Sequence, residues 1–83
     1  MKIHEHIAKM NLEFPYIYAT FENGEKYRYN IHEMVPEREE YKQLLNEEYF
    51  YKAKLSPRGM AISWDDIVDI PRDGIWEFGE KID

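Results

Sequence analysis

The chain has 83 residues and a mass of 10.1 kDa, with 43 % hydrophobic and 16 % aromatic residues, the composition of one small globular domain with no apolar run near the ~20 residues of a membrane span. Its formal charge is −6 and its pI about 5.0, which disfavours direct binding of nucleic acid and favours a partner with a basic surface. Cysteine is absent, excluding disulfides, thiolate zinc and a cysteine nucleophile, and Met1-Lys2-Ile3-His4 leads into no signal-like apolar stretch, so a cytoplasmic location is expected.

Residues Ile3 to Leu12 read as a first strand. Tyr16-Ile17-Tyr18-Ala19-Thr20-Phe21 and Lys26-Tyr27-Arg28-Tyr29-Asn30-Ile31 flank Glu22-Asn23-Gly24-Glu25, and Asn-Gly supplies the positive φ that a hairpin turn needs. Loop length decides which face is buried, because a one-residue slip moves every side chain across the sheet. A two-residue loop would place Ile17, Ala19 and Phe21 beside Lys26 and Arg28. A three-residue loop with Gly24 in a left-handed bulge places them with Tyr27, Tyr29 and Ile31 instead. Only the second separates apolar from polar, so it is the predicted register.

Pro36 suits a first helical position, and Glu37, Glu39 and Glu40 suit the positive end of the helix dipole. Tyr41, Leu44, Leu45 and Tyr49 then form an apolar stripe at helical spacing, with Asn46 ending or kinking the helix and Glu47–Phe50 adding a turn. Two alternating runs come next, Tyr51/Ala53/Leu55 and Met60/Ile62/Trp64, separated by a Ser56-Pro57-Arg58-Gly59 turn. Ile67–Ile70 is too short to classify. Pro71 opens a short helix through Ile75, Trp76 and Phe78, which Gly79 stops in a left-handed conformation. The predicted fold is α+β in two layers: an antiparallel sheet, one main helix and a short C-terminal helix, in the order β-β-β-α-β-β-α. Phe21, Tyr29, Leu44, Leu45, Leu55, Ile62 and Trp64 form the expected core.

Taken together, Phe21-Glu22-Asn23-Gly24-Glu25, Asn30-Ile31, Leu44/Leu45, Tyr49-Phe50, Ile62-Ser63-Trp64, Asp69-Ile70 and Ile75-Trp76-Glu77 resemble the bacterial domain-of-unknown-function family 2442 from about Tyr16 to Gly79. The family more often has Asp-Leu at Asn30-Ile31 and Leu-Tyr-Glu at Ile75-Trp76-Glu77. The resemblance implies an α+β domain that stands alone or is fused to a helix-turn-helix segment, for which 83 residues leave no room. It also implies a small, antitoxin-like partner of another protein, and carries no catalytic residues.

No catalytic or cofactor constellation is evident. His4 and His6 alternate as metal ligands on one strand face would, with His32 or Glu33 as a third. Without cysteine, two exposed histidines near a terminus are the expectation. Asp65-Asp66-x-x-Asp69 has the spacing of aspartate-rich magnesium motifs, but those serve large apolar cavities, so turn and capping roles are expected instead. Ser56, Ser63 and Thr20 have no histidine at a suggestive spacing, and Glu39-Glu40 and Glu47-Glu48 read as solvated helix faces.

Two surfaces stand out as partner-binding candidates. From Asp65 onward there are seven acidic and two basic residues, so five of the six net charges lie there. Asp65, Asp66, Asp69 and Asp73 with Trp76 form the first candidate, charge beside an aromatic anchor. Tyr16, Tyr18 and Arg28, with Lys26, form the second, because Tyr and Arg are enriched at interfaces. The leading reading is a non-enzymatic, acidic interaction module. Its alternatives are a ligand-binding or enzymatic domain whose site assembles only in space, and a DNA mimic that inhibits a nucleic-acid-binding protein.

Overall fold

The computed structural model describes residues 5–34, 39–65 and 68–82. Three strands, β1 (Ile7–Glu13), β2 (Tyr16–Phe21) and β3 (Lys26–Asn30), make an antiparallel meander. A tight turn with a cis Phe14–Pro15 bond joins the first two. The second turn is the predicted three-residue loop. Gly24 has φ of +91°, the Phe21 N–H donates to the Glu25 carbonyl at 2.8 Å, and the Asn23 Oδ1 accepts from the Glu25 N–H at 3.0 Å. Ile17 lies opposite Tyr29 and Ala19 opposite Tyr27, and all four are buried with Phe21 and Ile31. Tyr16, Tyr18, Lys26 and Arg28 take the other face, half-exposed or exposed.

The middle of the chain departs from the sequence pattern. Asn30 caps α1 (Ile31–Met34) through Oδ1, which accepts the His32 N–H at 2.9 Å. Pro36 and Glu37, the expected helix start, lie outside the described residues. Glu39–Leu45 forms a 3₁₀ helix rather than an α-helix, and α2 (Glu47–Phe50) comes after it. Asn46 makes the expected break and also starts the next turn, because its Oδ1 accepts the Tyr49 N–H at 3.1 Å. The change of helix type corrects the predicted core. With three residues per turn, Tyr41 and Leu44 eclipse each other while Leu45 rotates away. Leu44 is fully buried and Leu45 is 48 % exposed.

A second antiparallel sheet contains β4 (Lys54–Leu55), β5 (Ala61–Ser63) and β6 (Asp69–Pro71) in that order. The strand predicted over Tyr51–Leu55 is shortened because Tyr51 caps α2 and its hydroxyl accepts the Phe14 N–H at 2.9 Å. Met60 precedes β5 and is exposed, Ile62 is buried, and Trp64 is half-buried with its indole N–H donating to the Phe50 carbonyl at 2.9 Å. The turn at Ser56–Gly59 docks the two sheets. Gly59 has φ of +66°, and a Cβ there would sit 2.0 Å from the Ile7 carbonyl oxygen.

The last helix, α3 (Arg72–Phe78), begins after Pro71 as the sequence suggests and buries Ile75. Gly79 stops it, but not in the predicted left-handed conformation. Its φ is −79°, and glycine is needed because a Cβ would lie 2.4 Å from the Ile75 carbonyl oxygen. The chain passes directly into β7 (Glu80–Lys81), which pairs with β3 and completes a four-stranded sheet in the order β1-β2-β3-β7. One face of that sheet, Leu44, Phe50 and Ile75 from the helical segments, and Ile62 and Ile70 from the second sheet form a single core. The α+β class and antiparallel pairing are as expected. Within that class, the expected single sheet is divided in two, and among the described residues the segment expected to be the main helix is a 3₁₀ helix followed by one short α-helix. Phe21, Tyr29, Leu44 and Ile62 are buried, whereas Leu55 and Trp64 pack on the core from its margin.

Candidate interaction surface

The acidic C-terminal segment is dispersed by the fold. Asp65 closes a turn: Oδ1 accepts the Val68 N–H and Oδ2 accepts the Tyr49 hydroxyl, both at 2.7 Å. Burial of the Tyr49 phenol, reinforced by that bond to Asp65, pushes its pKa up to about 12. This is the turn role expected of Asp65; Asp66 lies outside the described residues. Asp69 does not cap α3. It sits in β6 opposite Ser63, two positions before Pro71, the N-cap residue, whose side chain has no acceptor. The Asp69 side chain is exposed, and its main-chain carbonyl accepts the Tyr41 hydroxyl at 2.7 Å. Asp73, in the first turn of α3, is exposed, and Glu77 stands one turn later on the same helix face. Trp76 is half-buried. Its ring lies edge-on to Phe21 at 5.3 Å and tilted over Tyr27 at 5.0 Å. The aromatic expected to anchor a partner is thus largely committed to the core.

The hairpin strip is more concentrated. Arg28 lies over the Tyr16 ring, 4.9 Å from its centroid, and the Tyr16 and Tyr18 rings are 6.3 Å apart. Across the β3–β7 pairing, Arg28 Nε donates to Glu80 Oε1 at 3.1 Å, and Nη2 engages the same oxygen. Hydrogen bonding to Glu80, then its charge, holds the guanidinium pKa above its usual value. Lys81 pairs with Glu25 at 2.8 Å. That bond, with one from Asn23, keeps the Glu25 carboxyl below the usual carboxylate range. Both pairs are solvated and small in energy, and they flank the backbone pairing of β3 with β7.

Beside the Arg28–Glu80 pair lies an open groove of about 100 Å³, lined by Tyr16, Arg28, Asn30, Glu33, Phe78 and Glu80. It brings together two surfaces that are far apart in the sequence, the hairpin strip and the end of the acidic segment. Phe78 is 70 % exposed, the highest value among the exposed large hydrophobic side chains of the described residues. The sequence pattern places Phe78 in the short C-terminal helix and Glu80 in the acidic segment, and singles out neither as a contact residue. The signal that Phe78 leaves the core is local polarity: it sits among Glu77, Gly79 and Glu80, with the helix ending at its own position.

Among the described residues, no group of three or more His, Asp or Glu side chains is placed to hold a metal ion. His4 lies outside them, and the His6 Nδ1 contacts the Arg58 carbonyl. The His32 ring packs edge-on against Phe14 at 5.9 Å. No helix among the described residues is long and apolar enough to cross a membrane.

The model of the family described as protein of unknown function (DUF2442) matches residues 11–81. The chain belongs to this family. No curated protein and no solved structure matches it. The DUF2442 motif positions in this chain are mostly structural: they supply the Gly24 turn and buried residues of the core, Phe21, Leu44, Phe50, Ile62, Ile70 and Ile75. Asn30 caps α1 through its side-chain oxygen. Trp76 sets a large aromatic against Phe21 and Tyr27.

Proposed function

We propose that this protein is a non-enzymatic interaction module for another protein with a basic surface. Its docking face is the end of the four-stranded sheet where Tyr16, Tyr18 and Arg28 meet Phe78. The observation that carries this reading is Phe78 itself: an aromatic side chain 70 % exposed beside a half-exposed Tyr–Arg strip. Aromatic and arginine side chains dominate interface energetics once a partner excludes water from them. The charge of −6 supports a basic partner by steering its approach, with Asp69, Asp73 and Glu77 among the exposed carboxylates of the C-terminal segment. In the antitoxin-like form of this reading, which the family resemblance implies, the partner is a second small protein. This groove is not itself a metabolite pocket, because about 100 Å³ is well below the ~300 Å³ at which small-molecule pockets begin.

The test is affinity capture from the native cells with the full chain, then binding of the purified partner. Phe78→Ser combined with Tyr18→Ala is expected to weaken binding at least about tenfold, through faster dissociation. Asp73→Asn is expected to slow association and flatten its salt dependence. A partner that binds the double variant as tightly as the wild type removes this face from the reading.

A further inference from the structure

The groove beside Phe78 has a composition that selects one kind of side chain. Its lining is mostly polar: two carboxylates, Glu33 and Glu80, the Asn30 side chain and one cation, Arg28, together with the aromatic side chains Tyr16 and Phe78. Arg28 is already neutralised by Glu80 and lies over the Tyr16 ring. An anionic ligand that approaches Arg28 is repelled by the Glu80 carboxylate on its flank and by Glu33 in the same groove. An incoming cation meets two carboxylates against one cation that is already paired. It finds the exposed Glu33 carboxylate and the ring of Phe78, both lining the same groove. The volume suits the tip of one long side chain rather than a metabolite.

We infer that the groove receives a single arginine or lysine side chain from the basic partner, held between Glu33 and the Phe78 ring. This rests on the interaction reading and adds the group that is recognised. Carboxylate pairing supplies the charge selectivity, and ring contact supplies the cation–π component. The existing Arg28–Tyr16 stack is the internal counterpart of the arrangement: one cation over one ring with one carboxylate on its flank. Arginine fits better than lysine, because a planar guanidinium can stack on Phe78 while donating to Glu33.

The test uses the full chain and a defined probe, N-acetyl-arginine-methylamide, titrated while backbone amide shifts are followed by NMR. N-acetyl-norleucine-methylamide is the uncharged control. Saturable millimolar shifts centred on Asn30, Glu33, Phe78 and Glu80, absent with norleucine, are expected. Glu33→Gln and Phe78→Ser should each weaken the arginine probe about fivefold while leaving the melting temperature unchanged. Absence of saturable shifts, equal shifts with norleucine, or shifts centred on Asp73 and Glu77 of α3 would each overturn the inference. These outcomes separate from the interaction reading as a whole. A captured partner that is lost with Phe78→Ser and Tyr18→Ala but tolerates Glu33→Gln leaves the docking face standing and removes the basic side chain from the groove.

Discussion

Truncating Leu44 and its neighbour Leu45 separately distinguishes the observed 3₁₀ turn from the regular helix that the sequence pattern suggests. Leu44 is fully buried among the core residues, and Leu45 is 48 % exposed. Leu44→Ala removes three carbons from a closed site, about 2.4 kcal/mol of transfer free energy at ~0.8 kcal/mol per carbon. The cavity left behind raises the cost to about 3–5 kcal/mol. A domain of 83 residues has a total stability of only about 4–12 kcal/mol. Each kcal/mol moves the melting temperature of so small a domain by about 4–8 °C, so Leu44→Ala should melt at least ~12 °C lower or not fold. Leu45→Ala removes carbons already half in water and leaves no closed void. Its cost should stay near ~1 kcal/mol or less, a shift of a few degrees. Thermal melts monitored by circular dichroism at matched concentration measure both. Equal losses in the two variants would mean that Leu44 and Leu45 share one buried helix face, and the 3₁₀ account of this segment would fail.

The two left-handed glycines should behave differently when a methyl is added. Gly24→Ala meets open space and bears only backbone strain, about 1–2 kcal/mol, whereas Gly59→Ala drives its Cβ into the Ile7 carbonyl and should cost more than about 4 kcal/mol by urea titration. Tyr49 predicts an alkaline signature. Its folded pKa is raised to about 12 from an unfolded value near 10, so the stability it contributes is complete below pH ~10 and is lost as pH rises toward ~12. Wild type should therefore lose more stability across that window than Tyr49→Phe, and parallel pH profiles for the two would contradict the burial of this phenol. Replacing Asn46 by Ala should cost about 0.5–2 kcal/mol, because it removes the acceptor for the Tyr49 N–H at the start of α2; an unchanged melt would deny the cap.

The features legible in the sequence are those that depend on local chemistry and short periods. Asn23-Gly24 marks a turn, and the requirement that Ile17, Ala19 and Phe21 share a face with Tyr27 and Tyr29 sets its length. Asn46 is legible as a break because a short side-chain acceptor competes with a continuing helix. The segment Glu39–Leu45 is not, since apolar residues at i, i+3 and i+4 fit an α-helix by count, and only packing against the rest of the core selects three residues per turn. Gly79 reads as a left-handed stop because that is the commonest use of glycine after a helix; the close approach of the Ile75 carbonyl exists only in three dimensions. The candidate site divides in the same way. The hairpin strip comes out of the register, so Tyr16, Tyr18 and Arg28 can be named from the sequence. Glu80 reaches that strip through a two-residue strand too short to carry any periodicity, and Phe78 through the end of the helix before it.

The claim that the Phe78 end of the sheet is the docking face can be tested in the native cells without knowing the partner. A photo-crosslinking p-benzoyl-phenylalanine placed at Phe78 is compared with one at Met60, which is 45 % exposed and is not among the residues lining the groove. A discrete crosslinked species is expected for position 78, diminished by a second Tyr18→Ala substitution, and none for position 60. Crosslinking of the same protein with equal yield from both positions, or from position 60 alone, would contradict it.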